Sequence, residues 1–437
     1  MKKEIKTIIP ICILATIIPA TPVHALLQSE IVEKAIPVEY SEYKAIGDGY
    51  ILLEKLDSGF SDSTWSYGVY DYINQQWLME YQSVDDYIDK ANYAGDGIFA
   101  FSKGGTTFLL DTATRNIAEL DLTVSPEELQ FYNGHAVVDS QRTDGYRVFV
   151  VDKDGESYAT RVTDTVSHDD SQNLTYLRHC FTNENYAVYI YDRTDFMIYN
   201  IEEDIVSDIY SPEFADKMSA DFRDNLSCAV CGDDYLALMN MEGNDGKNYY
   251  AALDFTGNAV IDATQCDYAT ITERGNILVR NNDQTEEISL ADLAITEEQE
   301  LKNLALVSWN QDSREERTIA MDRTGNLYKD AMEYHDIFYI EDAPEYCQAD
   351  TWYLGGNYSK FQGVWYFPEG TREESFVNVR LVGDGNVIYE SGTLNAQNAK
   401  EAFDVDVSGV KELRLEYDGE TELNGLLLGL ADAKLTI

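Results

Sequence analysis

Basic residues are scarce in this chain: 32 Lys and Arg stand against 79 Asp and Glu, a formal net charge of -47 over 437 residues. Such a charge repels a phosphate backbone or an anionic bilayer unless a local basic run offsets it, and no such run occurs, which argues against nucleic-acid partners. Proline is also rare, and Pro10 and Pro19 interrupt the one long apolar stretch, Ile8 to Ala20, with Pro22 just beyond it; the stretch is too short to span a bilayer. Lys2, Lys3 and Lys6 precede that stretch and Val23-His24-Ala25 follows it, so residues 1–25 read as a cleaved signal peptide. The mature chain is expected to be extracellular, released or held at the cell surface without membrane insertion.

Few residues are suited to chemistry. Of five His, His24 leaves with the leader, and only His135, His168, His179 and His335 remain; there is no Gly-x-Ser-x-Gly and no His-Glu-x-x-His. No catalytic residue is assigned, and the chain is read as a non-enzyme. Cysteines are too few and too scattered for a disulfide framework: without Cys12 they number five, Cys180, Cys228, Cys231, Cys266 and Cys347, and an odd count leaves a thiol over. Cys228-Ala229-Val230-Cys231 has the spacing of half a zinc site with no matching second half. Asp152-Lys153-Asp154-Gly155-Glu156-Ser157 starts like a calcium loop but lacks the third Asp and the distal Glu. Neither a metal nor a cofactor is expected.

Apolar residues make up 44% of the chain, with 31 Tyr and 28 Gly. That is too apolar for disorder and too long for one ordinary domain, so two folded units are expected. From 38 to 332 one pattern recurs: a Gly/Asp/Asn turn, a short apolar run, and a second run closing on Asp. It begins as GDGYILLE at Gly47, GDGIFAFS at Gly95, NGHAVVDS at Asn133, NENYAVYI at Asn183, GDDYLALM at Gly232 and RGNILVRN at Arg274. Spacings from the upper thirties to about fifty suit one small antiparallel sheet per unit. A hairpin cannot bury its own face, so the units should stack, and a β-propeller-like domain of six or seven units is expected, the last degenerate one around Ala305–Trp309. Asp111, Asp152, Asp254 and Asp322 close apolar runs where a carboxylate can cap the next turn, and Gly155, Gly257 and Gly325 follow where positive φ is needed. Trp65-Ser66-Tyr67-Gly68-Val69-Tyr70-Asp71 with Gln75-Gln76-Trp77 resembles the opening of a WG-type β repeat, in this first unit alone. Residues 333–346, with Pro344, read as a linker.

Residues 347–437 form the second unit. Ser375 to Val382 alternates with period two and turns at Gly383-Asp384-Gly385-Asn386, and Asp404 to Tyr417 alternates again, as the strands of a two-sheet sandwich do. Tyr353-Leu354-Gly355-Gly356, Val382-Gly383-Asp384-Gly385, Tyr389-Glu390-Ser391-Gly392, Val405 to Leu413 and Ala431-Asp432-Ala433-Lys434-Leu435 are similar, in order and spacing, to NPCBM, the novel putative carbohydrate-binding module. The resemblance implies a jelly-roll-like β-sandwich and a glycan partner. Where that family carries polar and aromatic residues before its closing motif, this chain has Asn424-Gly425-Leu426-Leu427-Leu428-Gly429-Leu430.

Sugar recognition needs aromatic faces for pyranose C–H surface and polar groups for hydroxyls. Trp352, Tyr353, Tyr358, Trp365 and Tyr366 crowd one stretch, with Asn357, Gln362 and Arg372 nearby. Alternation along a strand requires Trp365 or Tyr366 to face outward. The expected carbohydrate-binding residues are Trp352, Tyr353, Asn357, Tyr358, Trp365 and Arg372, with Trp352 and Trp365 as the platform. The chain is therefore read as a secreted, non-catalytic carbohydrate-binding protein. A glycoside hydrolase with its catalytic centre in the N-terminal unit, and a cell-surface scaffold with a protein partner, stand as alternatives.

Overall fold

The computed structural model describes residues 28–437 except 37–38, 59–62, 85–86, 143–144, 163–177, 192–194, 208–211, 220–225, 283, 309–313, 335–345, 399 and 419–427. The expected leader, His168, His335, Trp309 and residues 424–427 lie outside the described residues.

One short α-helix, Gln28–Ala35, precedes a chain of strands that pair antiparallel throughout. Five four-stranded sheets take their strands in sequence order from residues 42–84, 90–119, 131–159, 178–206 and 227–266, and a three-stranded sheet follows from 268–288. The core is divided into layers between successive sheets. Leu52 and Val69 of the first pack on Phe99, Phe101 and Leu110 of the second. Val148 and Val150 meet Tyr189 and Tyr199, and further along Val188 and Ile198 meet Leu236 and Leu253. A sheet covered on both faces needs apolar residues at consecutive positions, which is why Ile98-Phe99-Ala100-Phe101 is buried without a break.

The Asp-capped turns form as the sequence implies. Asp254 Oδ1 accepts the backbone N–H groups of Thr256 and Asn258, both at 2.9 Å, and Asp322 Oδ1 accepts those of Thr324 and Asn326 at 2.8 and 3.0 Å. Gly257 and Gly325 sit at φ 88 and 84, where a side chain would be strained.

Two larger sheets complete the structure. A six-stranded sheet joins Arg314–Met321, Leu327–Tyr334, Leu428–Thr436, Lys360–Tyr366 and Lys400–Asp406, with Glu298–Glu300 also paired to Leu428–Thr436. A five-stranded sheet runs through Leu306–Ser308, Cys347–Tyr353, Glu412–Asp418, Phe376–Gly383 and Asn386–Asn395. Both contribute to one core that contains Trp352, Phe361, Trp365, Val379, Leu415 and Leu430.

The architecture is all-β, but it is not the expected propeller followed by a jelly roll. All eight sheets among the described residues are open, and none closes into a barrel or propeller. The hairpin at Thr318 does not make a separate repeat unit: Met332, Glu333 and Tyr334 pair with Leu430, Gly429 and Leu428. The jelly-roll expectation fails for the same reason, because strands from before residue 335 belong to both C-terminal sheets. An unpaired strand edge accepts any partner whose register fits, and a repeat pattern marks strands and turns without naming the edge that each will join.

Candidate functional site

The outer face of the five-stranded sheet gathers polar side chains by simple alternation. Along Phe376–Gly383, Val377, Val379 and Leu381 enter the core, so Asn378 and Arg380 face the other way. Along Glu412–Asp418, Leu413, Leu415 and Tyr417 enter the core, which leaves Arg414 and Glu416 outside. In Cys347–Tyr353 a shift of register between Gln348 and Thr351 lets both pair with the outer row, Gln348 opposite Glu416 and Thr351 opposite Arg414. Arg380 lies between Glu416 on one side and Glu390 on the other.

Glu416 organises this face. Its side chain is only 8% accessible, and a carboxylate that buried is costly unless it is paired. Arg414 Nε donates to its Oε1 at 2.7 Å and Arg380 Nε to its Oε2. The Arg414 and Arg380 side chains remain 35% and 27% exposed, and each has further N–H donors beyond the one spent on Glu416. The Arg380 guanidinium lies 3.8 Å from the centre of the Tyr346 ring. Beside it, Gln348 Nε2 donates to Ser308 Oγ at 3.0 Å, Ser308 donates to Thr351 at 3.0 Å, and Thr393 donates to Asn378 Oδ1 at 2.9 Å. Fixed donors, amide and hydroxyl groups and an aromatic ring on one open surface can hydrogen-bond a hydroxyl-rich ligand and pack on its C–H face.

The expected site residues lie elsewhere. Trp352 and Trp365 are each 1% exposed, inside the core between the two sheets, with the Trp365 ring stacked on Phe403 at 4.7 Å. Neither is a platform. Alternation does not expose a neighbour either: Tyr366 is buried on the opposite side of the strand against Tyr328, Ala331 and Ala431 of the same sheet. Tyr353 and Tyr358 are buried as well and face the three-stranded sheet. The Tyr353 hydroxyl donates to Glu287 Oε2 and that of Tyr358 to Glu273 Oε1, both at 3.1 Å. Burial and these carboxylates push both phenols well above their ordinary range. Asn357 is half-buried in the loop after Gly355-Gly356, its backbone N–H bonded to Leu354 O, and Arg372 is half-buried in the turn before Phe376–Gly383. Trp352, Tyr358 and Trp365 share one core, whereas Asn357 and Arg372 are half-buried outside it, so the six do not form one exposed surface.

The leucine-rich stretch also has a packing role. Leu428 and Leu430 enter the core, while Gly429 between them lies under the Tyr366 ring. Sequence reading overlooked Asn378, Arg380, Arg414 and Glu416, although the period-two pattern that placed Leu413 and Leu415 inside already put the residues between them outside.

Among the described residues no three His, Cys, Asp or Glu side chains are grouped to hold a metal ion, and no helix is long and apolar enough to cross a membrane. Residues 348–436 match the NPCBM/NEW2 domain, so the C-terminal part of the chain is a domain of this carbohydrate-binding-module type. No curated protein matches the chain. Among solved structures, a CBM51 from Clostridium perfringens GH95 in complex with methyl-galactose is 15% identical, with 32% of this chain and 99% of that one covered and a TM-score of 0.25. The CBM51-2 and INT domains from Clostridium perfringens ZmpB are 16% identical over 55% of this chain, which spans only 43% of theirs, with a TM-score of 0.25. A glycoside hydrolase family 43 arabinoxylan arabinofuranohydrolase from Bacillus subtilis in complex with cellotetraose is 10% identical, with 95% and 99% covered and a TM-score of 0.32. These scores are too low to establish a shared fold.

Proposed function

We propose that the protein is a secreted, non-catalytic carbohydrate-binding protein, that residues 347–437 form its binding module, and that glycan lies on the outer face of the five-stranded sheet across Gln348, Asn378, Arg380 and Arg414. The observation that carries this reading is the NPCBM/NEW2 match over 348–436, the segment that supplies nearly all of that polar face. The preceding sheets serve as scaffold or as a second contact surface. Half-exposed Asn357 and Arg372 are candidates for peripheral contacts.

The test is a glycan array followed by calorimetry on the full chain. Gln348→Ala and Asn378→Ala remove groups on the face without touching the core, and each is expected to weaken binding of the array-selected glycan at least several-fold. Unchanged affinity in both folded variants would place the ligand elsewhere, and no binding to any glycan would reject the function. Export is checked separately, by N-terminal sequencing of the protein from culture fluid, with Leu26 expected first.

A further inference from the structure

Cys180 and Cys228 belong to different sheets. Cys180 is on Arg178–Thr182, the first strand of the fourth sheet, and Cys228 on Ser227–Cys231, the first strand of the fifth. The two strands share no ladder; each pairs with the next strand of its own sheet. A register shift between His179 and Phe181 sets Cys180 in a bulge, a feature that re-aims a side chain. Both cysteines contribute to the core between the sheets, alongside Val188, Ile198, Leu236 and Leu238. Their sulfurs are 3.1 Å apart, and Cys228 Sγ also approaches Cys180 O at 3.6 Å.

We propose that this pair is a cross-linking site, at which a disulfide between Cys180 and Cys228 ties the fourth sheet to the fifth. Two sulfurs already in contact need only small side-chain adjustments to reach a bond of about 2.05 Å. The oxidant is an external disulfide, as carried by an oxidised small thiol or an exchange protein. Half-exposed Cys180, as thiolate, attacks one sulfur of that disulfide; a mixed disulfide forms and one external thiolate leaves. Buried Cys228, as thiolate, then attacks the Cys180 sulfur, the second external thiolate leaves, and the Cys180–Cys228 bond forms. The two protein protons end on the two departing thiols, so the external disulfide is reduced by two electrons and the protein pair is oxidised by two. The other described cysteines do not compete. Cys231 and Cys266 are buried, and burial pushes their thiols up to about 12 and about 11, which leaves almost no thiolate at neutral pH.

The experiment treats reduced, folded protein in a Cys347→Ser background with oxidised glutathione, then alkylates, digests and maps it by mass spectrometry. The expected result is the loss of two alkylatable thiols, a mass lower by two hydrogens, and one cross-linked pair of peptides bearing Cys180 and Cys228. With Cys228→Ser added, the reaction is expected to stop at a glutathione adduct on Cys180, which distinguishes attack from resolution. A stable adduct on Cys180 when Cys228 is present, or no reaction of either thiol in the folded protein, would overturn the proposal. So would a cross-link that joins any other pair.

Discussion

Trp365 and Tyr366 are consecutive residues on one strand, and their rings are buried in opposite directions: Trp365 stacks on Phe403 at 4.7 Å and Tyr366 on Tyr328 at 4.8 Å. Lys360–Tyr366 is an interior strand flanked by Leu428–Thr436 and Lys400–Asp406, with one face in the core and the other exposed at Lys360, half-buried at Gln362 and Val364 and closed at Tyr366. On the Tyr366 side the contact ends in a polar network, in which the Tyr366 hydroxyl donates to Glu333 Oε1 at 2.9 Å and Arg317 Nε donates to Glu333 Oε2 at 3.0 Å.

Trp365→Ala is expected to cost about 3–5 kcal/mol of stability, the range for emptying a large aromatic from a packed core. Urea denaturation checks it. The fraction that remains folded should bind glycan with unchanged affinity, because Trp365 lies beneath the face and not on it.

Gly429→Ala would place a Cβ 2.1 Å from the Tyr366 ring carbons. Ring or strand must move, so the thermal midpoint should fall, with a cost of at least about 1–3 kcal/mol. Pairing the change with Tyr366→Ala should recover part of the loss from Gly429→Ala relative to Tyr366→Ala alone; a purely additive result would show that the ring is not the obstacle.

Two carboxylates predict opposite responses to pH. Hydrogen bonds from Thr256 and Asn258 hold Asp254 down at about 2, below its ordinary 3.8, so the capped turn stabilises fully above that ordinary value and loses its contribution as pH falls toward 2. Burial pushes Glu273 above its ordinary 4.5, with Glu287 adding to the shift, and its Oε2 is buried without a partner. Its charge costs stability above the raised value, and protonation relieves that cost as pH falls. Glu273→Gln keeps an acceptor for Tyr358 and should raise the thermal midpoint at pH 8 but not below pH 4. Asp254→Ala should lower it at pH 8, with the difference shrinking toward pH 2.

Glu416→Gln is expected to cost about 1–3 kcal/mol by weakening one charge-assisted hydrogen bond and removing the other, because an amide offers one acceptor oxygen, with water compensating in part at the partly open Arg380 and Arg414. It should also weaken glycan binding, because both guanidiniums lose their anchor. Parallel denaturation and calorimetry separate the two effects.

The strands and turns of this chain, and the all-β class, follow from local information: Asp254 and Asp322 meet the very N–H groups that their spacing implies, and Leu413 and Leu415 turn inward as alternation requires. The NPCBM segment is legible for the same reason, since its turns and alternating runs are contiguous in sequence. The burial of Trp352 and Trp365 is not legible, because alternation separates the two faces of a strand without saying which face meets the other sheet. Long-range pairing decided the surroundings of Tyr366: Leu327–Tyr334 joins Leu428–Thr436, and the hairpin that precedes the module then sets Tyr328 and Ala331 beside Tyr366 within one sheet. Edge pairing depends on register between segments about a hundred residues apart, and local propensity carries no record of it. The same pairing broke the expected repeat array, while packing of the two sheets buried Trp352 and Trp365 and alternation along the five-stranded sheet left Asn378, Arg380, Arg414 and Glu416 on its outer face.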